Sequence, residues 1–263
     1  MTTTIRRTLF FLVIVGLLCA TTSCRSRARS NVESPADSTQ SAAEYVAQAE
    51  QLYGQRQDLL RLRQGIVLLR QAVTADPGDY DASWRLAKYN YYLATHTDNT
   101  DERDKAFRDG IEAGKVAVKL QDGKPDGHFW LGANYGGAAQ NSLFAGLANV
   151  EDIRSEMQTV LRLDQGYQDG SAYMVLGLVY LESPKLLGGD PQKAVEEMEK
   201  GLRFGNKNAF LHLHLAEAYL KLGRTADARQ QLNSIISMTP DQNYLPEYKE
   251  AVSAARKLLD QSR

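Results

Sequence analysis

From about residue 40 onward, apolar positions recur at helical rather than strand spacing, and one short pattern returns several times. Leu131-Gly132-Ala133-Asn134-Tyr135, Leu176-Gly177-Leu178-Val179-Tyr180 and Leu215-Ala216-Glu217-Ala218-Tyr219 each set a leucine, a small residue and a tyrosine at the same intervals. A weaker copy, Leu86-Ala87-Lys88-Tyr89-Asn90, precedes them with asparagine at the tyrosine position. The small residue lets a second helix come close and the tyrosine one turn later fills the space beside it, so the pattern marks the first helix of a packed hairpin. A second helix is predicted after each copy, over 103–120, 150–163, 191–204 and 226–238, and an earlier pair covers 41–55 and 58–75, stopped by Asp76-Pro77. Gly223 suits a helix C-terminus, while Asp190 before Pro191 suits an N-cap with proline at the first helical position. A closing helix is predicted from about Leu245 to Leu259. The expected fold is all-α, a right-handed superhelical stack of antiparallel helix hairpins over residues 41–263 with a C-terminal capping helix.

Ahead of this block, residues 1–24 read as a secretion signal: Arg6-Arg7, the apolar run Leu9 to Leu18, then Ala20-Thr21-Thr22-Ser23 ending at Cys24. The run is too short to span a bilayer comfortably, and two basic residues before it fit the general export route. Small residues before a cysteine resemble the lipobox of bacterial lipoproteins, although Thr21 stands where that motif prefers leucine. Lipidation of Cys24 would also remove an unpaired thiol, because Cys19, the only other cysteine, leaves with the signal. The alternative is a plain signal peptide cut nearby. Residues 25–40, polar and containing Pro35, read as a flexible tether. Loss of Arg6 and Arg7 turns 31 basic residues into 29 against 32 acidic ones, a net charge of −3 that carries no nucleic-acid footprint. With 43% hydrophobic residues in 263, the chain as a whole has ample material for a core.

The copy Leu215, Ala216, Tyr219, Ala228, Leu232, Ile235, Pro240 resembles a tetratricopeptide (TPR) repeat, with His212 where tryptophan is commonest. The other copies depart from that family's spacing. Their tyrosines, at 135, 180 and 219, lie 45 and 39 residues apart, whereas a regular repeat is about 34 residues, so extra residues fall in 136–149 and 182–189. The run Ser183-Pro184-Lys185-Leu186-Leu187-Gly188-Gly189-Asp190-Pro191, the apolar insertion 141–150 and the cysteine-ended signal together resemble the T-component (TatT) lipoproteins of TRAP transporters over most of residues 41–260. That resemblance implies a helical repeat protein with a hydrophobic channel or cavity, working beside a substrate-binding protein in the uptake of organic acids or other small ligands.

On each first helix, the residues six before, two before and one after the tyrosine position share one face. They are Trp84, Lys88, Tyr91, then Phe129, Ala133, Gly136, then Met174, Leu178, Leu181, then Leu213, Glu217, Leu220. In a hairpin stack this face lines the concave side, while Leu131, Gly132 and Tyr135, Leu176, Gly177 and Tyr180, and Leu215, Ala216 and Tyr219 pack the repeats together. A groove lined by Trp84, Tyr91, Phe129, Ala133, Met174, Leu178, Leu181, Leu213 and Leu220 is too apolar to stand open in water. Three covers are possible: the chain itself, with the insertion 136–149 (Leu143, Phe144 and Leu147) folded into the groove and the C-terminal helix closing its end; a small apolar or amphipathic ligand; or a partner helix or second copy of the chain.

Chemistry of other kinds finds no footing. His212 and His214 are two residues apart and diverge, and His96 and His128 have no helical partner, so no metal site is expected. Asp98, Asp101, Glu102 and Asp104 lack the order of a calcium loop and read as a capping turn. Gly136-Gly137 and Gly188-Gly189 are not followed by the lysine of a phosphate loop, and no Gly-x-Ser-x-Gly elbow occurs. The sequence therefore points to a binding scaffold rather than an enzyme, with no cofactor. Arg25 after the cysteine resembles outer-membrane sorting of a periplasm-facing lipoprotein. Expected partners are a periplasmic solute-binding protein or other envelope protein, with self-association into a homo-oligomer as a further way to cap the stack. The competing reading is a structural assembly factor for an envelope complex that holds no small molecule.

Overall fold

The computed structural model describes the backbone of residues 40–140 and 143–261, and their side chains except those of 140–149. The expectations for the signal, for Cys24, for all but the last residue of the tether, and for the side chains of Leu143, Phe144 and Leu147 lie outside the described residues.

The described residues form eleven α-helices: α1 Ala42–Tyr53, α2 Leu59–Ala75, α3 Tyr80–His96, α4 Thr100–Leu120, α5 Pro125–Gln140, α6 Leu143–Leu163, α7 Tyr167–Glu182, α8 Pro191–Leu202, α9 Ala209–Lys221, α10 Thr225–Ser237 and α11 Leu245–Gln261. Two 3-10 turns, Lys185–Leu187 and Gln242–Tyr244, interrupt the connections. Helices pair in order as α1/α2, α3/α4, α5/α6, α7/α8 and α9/α10, and α11 packs on α9 and α10 as the cap. Side-chain caps fix most starts: Ser41 and Glu44 form a capping box at α1, and Asp58, Asp79, Asn99, Asp190 and Asn208 each accept from a backbone N–H of the first turn. Proline at the first position of α8 and Gly223 at φ +72° after α9 match the sequence expectation.

The repeated pattern does the packing predicted of it. A Cβ on Gly132 would meet the Met157 side chain at 2.5 Å, and one on Gly177 would lie 2.6 Å from Met198 Cγ, so each glycine admits the second helix of its own hairpin. Leu131, Leu176, Leu215 and Ala216 are buried. The tyrosines lean back on the preceding hairpin: the Tyr219 hydroxyl donates to Glu199 at 2.6 Å, and the Arg154 guanidinium lies 5.1 Å from the Tyr180 ring. Tyr135 is half-buried and feels Lys115 on α4. His128 and His212, seven residues before their tyrosines, each tie their own hairpin shut, through Glu156 at 2.6 Å and Gln231 at 2.7 Å.

One segment differs from expectation, and the start of α7 is irregular. The extra residues around 136–149 do not form a long loop: α5 runs on to Gln140 and α6 begins at Leu143 rather than near Val150. Gly136-Gly137 looks like a helix stop, yet a Cβ on Gly137 would stand 2.2 Å from the Phe107 ring, so that glycine serves close packing of α5 on α4. In α7, Gln168, Asp169 and Gly170 carry φ of 44°, 54° and 73°, so the regular helix starts only after them. This left-handed turn is held by Ser171 Oγ donating to the Gln168 carbonyl at 2.6 Å and by Asn208 Nδ2 donating to the Asp169 carbonyl at 3.2 Å.

Candidate functional site

The inward face splits into two parts with different surroundings. Met174, Leu178, Leu181, Leu213 and Leu220, on α7 and α9, share one apolar cluster with Tyr248, Ala251, Val252, Ala255 and Leu258 of α11. Leu181 and Leu213 are only 3% and 4% exposed and act as core, while Met174, Leu178 and Leu220 are half-buried against the same cluster, under the cover of α11. Glu217, in the same half, accepts from or shares a proton with His214 Nδ1 at 2.7 Å.

Trp84, Tyr91, Phe129 and Ala133 belong to the second cluster, built on α3 and α5. Phe129 and Ala133 are buried, while Trp84 and Tyr91 are half-buried, so this half keeps an edge open to solvent. Helical spacing alone missed Trp130, which belongs to it. The Trp130 ring lies 5.7 Å from Tyr91 and stands edge-on to Phe129 at 5.1 Å. Tyr167, at the start of α7, extends the aromatic wall 5.3 Å from Phe129 and donates to Asp126 at 2.9 Å. The doublet Phe129-Trp130 was the available signal, since two adjacent large rings on one helix must serve two faces.

Lys88 sits among these rings. Its ammonium lies 4.4 Å from the centre of Tyr53, 5.9 Å from Trp84 and 5.8 Å from Trp130. Burial pushes its pKa down to about 8; Glu50 and Glu247 oppose this, and Arg56 and Arg85 add to it. The neighbouring carboxylates are already engaged. Glu50 accepts from Arg85 at 2.7 Å and from the Tyr89 hydroxyl at 3.1 Å, and Asp81 accepts from Arg85 and from Trp84 Nε1, both at 2.9 Å.

The rim of this half is formed by the C-terminal segment. Arg56, just past α1 and 5% exposed, donates to both oxygens of Glu247 on α11, at 2.8 and 2.6 Å, and to the Asn243 carbonyl at 2.7 Å. Its guanidinium also covers the Tyr53 and Tyr92 rings at 4.8 and 5.6 Å. A second tie joins His96 at the end of α3 to Glu250, with Nε2 at 3.1 Å from the carboxylate and Nδ1 at 2.8 Å from the Tyr92 carbonyl. Two acceptors facing one ring favour the doubly protonated form. Although burial pulls the other way, the Glu250 and Tyr92 contacts raise the His96 pKa above its ordinary value. A raised folded pKa means the tie is fully present below about pH 6.5 and fades as pH rises through the higher folded value. Amide exchange in α11 should therefore be slower at pH 6 than at pH 8, after correction for intrinsic rates, and His96→Phe should remove that difference. An unchanged difference in the variant would assign the pH response elsewhere.

Two shallow clefts lie away from this face, one of about 390 Å³ between α2, α3 and α4 bounded by Arg70, Leu86 and Asp109, the other of about 480 Å³ beside α11 at Tyr248 and Arg256. Among the described residues no cluster of histidine, cysteine, aspartate and glutamate could hold a metal ion, and no helix is long and apolar enough to cross a membrane.

Comparison with known proteins supports this architecture. A thermophilic TPR protein of Thermus thermophilus aligns over 80% of this chain and 98% of its own, with a TM-score of 0.59 and 22% identity. PilF of Pseudomonas aeruginosa aligns over 84% of this chain and 92% of its own, at a TM-score of 0.52 and 20% identity. At these identities the likeness establishes a TPR-like fold. No curated protein matches the chain significantly. The sequence profile of the TRAP transporter T-component family, by contrast, matches residues 86–262, from Leu86 within α3 through α11, which leaves Trp84 outside the match. On that match over more than half its length, the chain belongs to the TRAP transporter T-component family.

Proposed function

We propose that this protein is a non-catalytic binding scaffold of the bacterial envelope, lipid-anchored through Cys24 at the outer membrane, facing the periplasm and accessory to TRAP-type uptake. Its N-terminal half-groove, with Trp84, Tyr91, Phe129 and Ala133, receives a small apolar or amphipathic ligand, and a periplasmic solute-binding protein is its partner. The observation that carries this reading is the gathering of Trp84, Tyr91, Phe129 and Trp130 in one cluster, with Lys88 beside the Trp84 and Trp130 rings and the rings of Trp84 and Tyr91 only half covered. Large rings left partly wet lose part of about 1.5 to 3 kcal/mol each, which a ligand would recover. Family membership supports the transport setting.

The test is uptake of an environment-sensitive apolar dye by the purified chain. Trp84→Ala should weaken dye binding severalfold, and Trp84→Ala with Phe129→Ala should abolish it, while circular dichroism confirms that the helices persist. Unchanged dye uptake by the folded double variant would remove the ligand from this reading and leave the assembly-scaffold alternative.

A further inference from the structure

The helices of the stack alternate in direction, so one edge gathers the starts of the first helices and the ends of the second ones. The Tyr80 hydroxyl at the start of α3 donates to Asp126 at the start of α5 at 3.3 Å, and Tyr167 at the start of α7 donates to the same carboxylate at 2.9 Å. Asn208, just before α9, donates to the Asp169 carbonyl at 3.2 Å, which brings a fourth start alongside. α1 runs parallel to α3, since Glu50 meets Arg85 and, one turn later, Tyr53 stacks on Tyr89 at 4.3 Å. Ser41, the N-cap of α1, therefore lies on this edge too, and the chain ahead of it leaves from there.

A short pattern repeats along the same edge. The second helices of three successive hairpins close on a cation followed by an apolar residue, Lys119-Leu120, Arg162-Leu163 and Arg203-Phe204, whose apolar members are 36%, 40% and 42% exposed. A cation suits a helix C-terminus by itself, but the dipole does not call for a wet leucine or phenylalanine beside it. On either side, α2 and α10 end in Thr74-Ala75 and Ile236-Ser237, without a cation. Successive pairs are neighbours in space, because a Cβ on Gly166, just past Leu163, would lie 3.8 Å from the Phe204 ring. Phe204 stacks one face on Tyr173 and keeps the rest open. Lys119, Arg162 and Arg203 enter no ion pair among the described residues. The aspartates of the edge serve its turns instead: Asp76 and Asp164 accept from the backbone N–H groups of Gly78 and Gly166, Asp122 faces His128 at 3.4 Å, and Asp126 takes the two tyrosines.

Pairs of this kind match a lipid surface, where the apolar side chain enters the interface and the longer cation stays among the phosphates. The place where the chain leaves the stack selects the same edge. On the reading above that Cys24 carries a lipid anchor, on which this inference rests, residues 25–40 join the membrane to α1, and a coil of that length spans about 20 Å. The far edge lies a helix length further off, about 25 Å for the 17 residues of α3. We infer that the edge carrying Leu120, Leu163 and Phe204 rests on phospholipid headgroups, so that the stack stands on the membrane with its opposite edge turned toward the periplasm.

The test uses the mature lipidated chain in vesicles of phosphatidylethanolamine and phosphatidylglycerol that carry a nitroxide on some headgroups. Cys19 and Cys24 are the only cysteines, so in the mature lipidated protein a single introduced cysteine takes a fluorophore cleanly. Gln121→Cys and Gln165→Cys, at exposed positions beside Leu120 and Leu163, report on the edge. Asp98→Cys and Leu186→Cys, on the opposite edge, are the controls, and Leu186, 98% exposed, guards against quenching that merely follows exposed apolar surface. Quenching should be severalfold stronger at the first two positions. Lys119→Gln, Arg162→Gln and Arg203→Gln together should leave flotation with the vesicles intact and remove most of that quenching. Equal quenching at all four positions, or quenching indifferent to the triple variant, would overturn the contact while the anchor stood. A chain that fails to float would remove the anchor, and this orientation with it.

Discussion

Glu247→Ala should lower the free energy of unfolding by about 3 kcal/mol, a large share of the stability of a domain this size. The substitution strands the Arg56 guanidinium, which is 5% exposed, with only the Asn243 and Tyr53 carbonyls and two ring faces for partners. Removing one member of a buried ion pair is far more damaging than removing both, because the survivor keeps its desolvation penalty. The double variant Arg56→Met with Glu247→Met should therefore recover most of the loss. Urea denaturation of the three variants decides the matter. A loss under about 1 kcal/mol for Glu247→Ala would mean that the pair is solvated and contributes as an ordinary surface bridge.

Gly177→Leu should be comparably damaging for a steric reason. The first carbon of the new side chain already falls 2.6 Å from Met198 Cγ and 3.1 Å from the Ala194 carbonyl, so the whole leucine must be housed by moving α8 away from α7. Overpacking of a tight helix interface costs about 1 to 3 kcal/mol, and displacement of a backbone carbonyl pushes this case to the upper end. Thermal melts would show it as a drop of several degrees with the second transition of any split melt assigned by exchange to α7 and α8. The equivalent position in the last hairpin is Ala216, fully buried, which shows that one methyl is tolerated where the facing helix leaves room. A Gly177→Leu protein as stable as the parent would mean that the α7/α8 contact is looser than these distances imply.

The hairpins were legible because their determinants are local. Leu176, Gly177 and Tyr180 declare a helix, its packing side and its distance from the next helix within five residues, and the capping residues Asp190 and Asn208 mark where the next ones begin. The continuation of α5 through Gly136-Gly137, into the stretch 136–149 where extra residues were expected between helices, was not legible for the opposite reason. Glycine signals both a helix end and a close approach, and only the position of Phe107, on another helix, distinguishes the two. Of the candidate site, the apolar face of α3 and α5 could be read from spacing, whereas its contents could not. Trp130 lies off that face by one residue, and its contacts with the Tyr91 and Phe129 rings depend on what surrounds it in space. The closing of the groove's end by the C-terminal helix was expected from the sequence, whereas which residues of the inward face it covers, Leu181 and Leu213 among them, depends on packing that no local pattern encodes.

A stack of hairpins in which each touches only its neighbours melts from its ends, and its stability is close to a sum of local terms. The tie between Arg56 and Glu247 joins residues 191 positions apart. It makes the first hairpin and the capping helix mutual neighbours, so neither terminus is free to fray alone and unfolding of one should propagate to the other. Such a contact forms late, because closing so long a loop is entropically slow, and the final assembly step of this chain is therefore expected to be the meeting of its two ends.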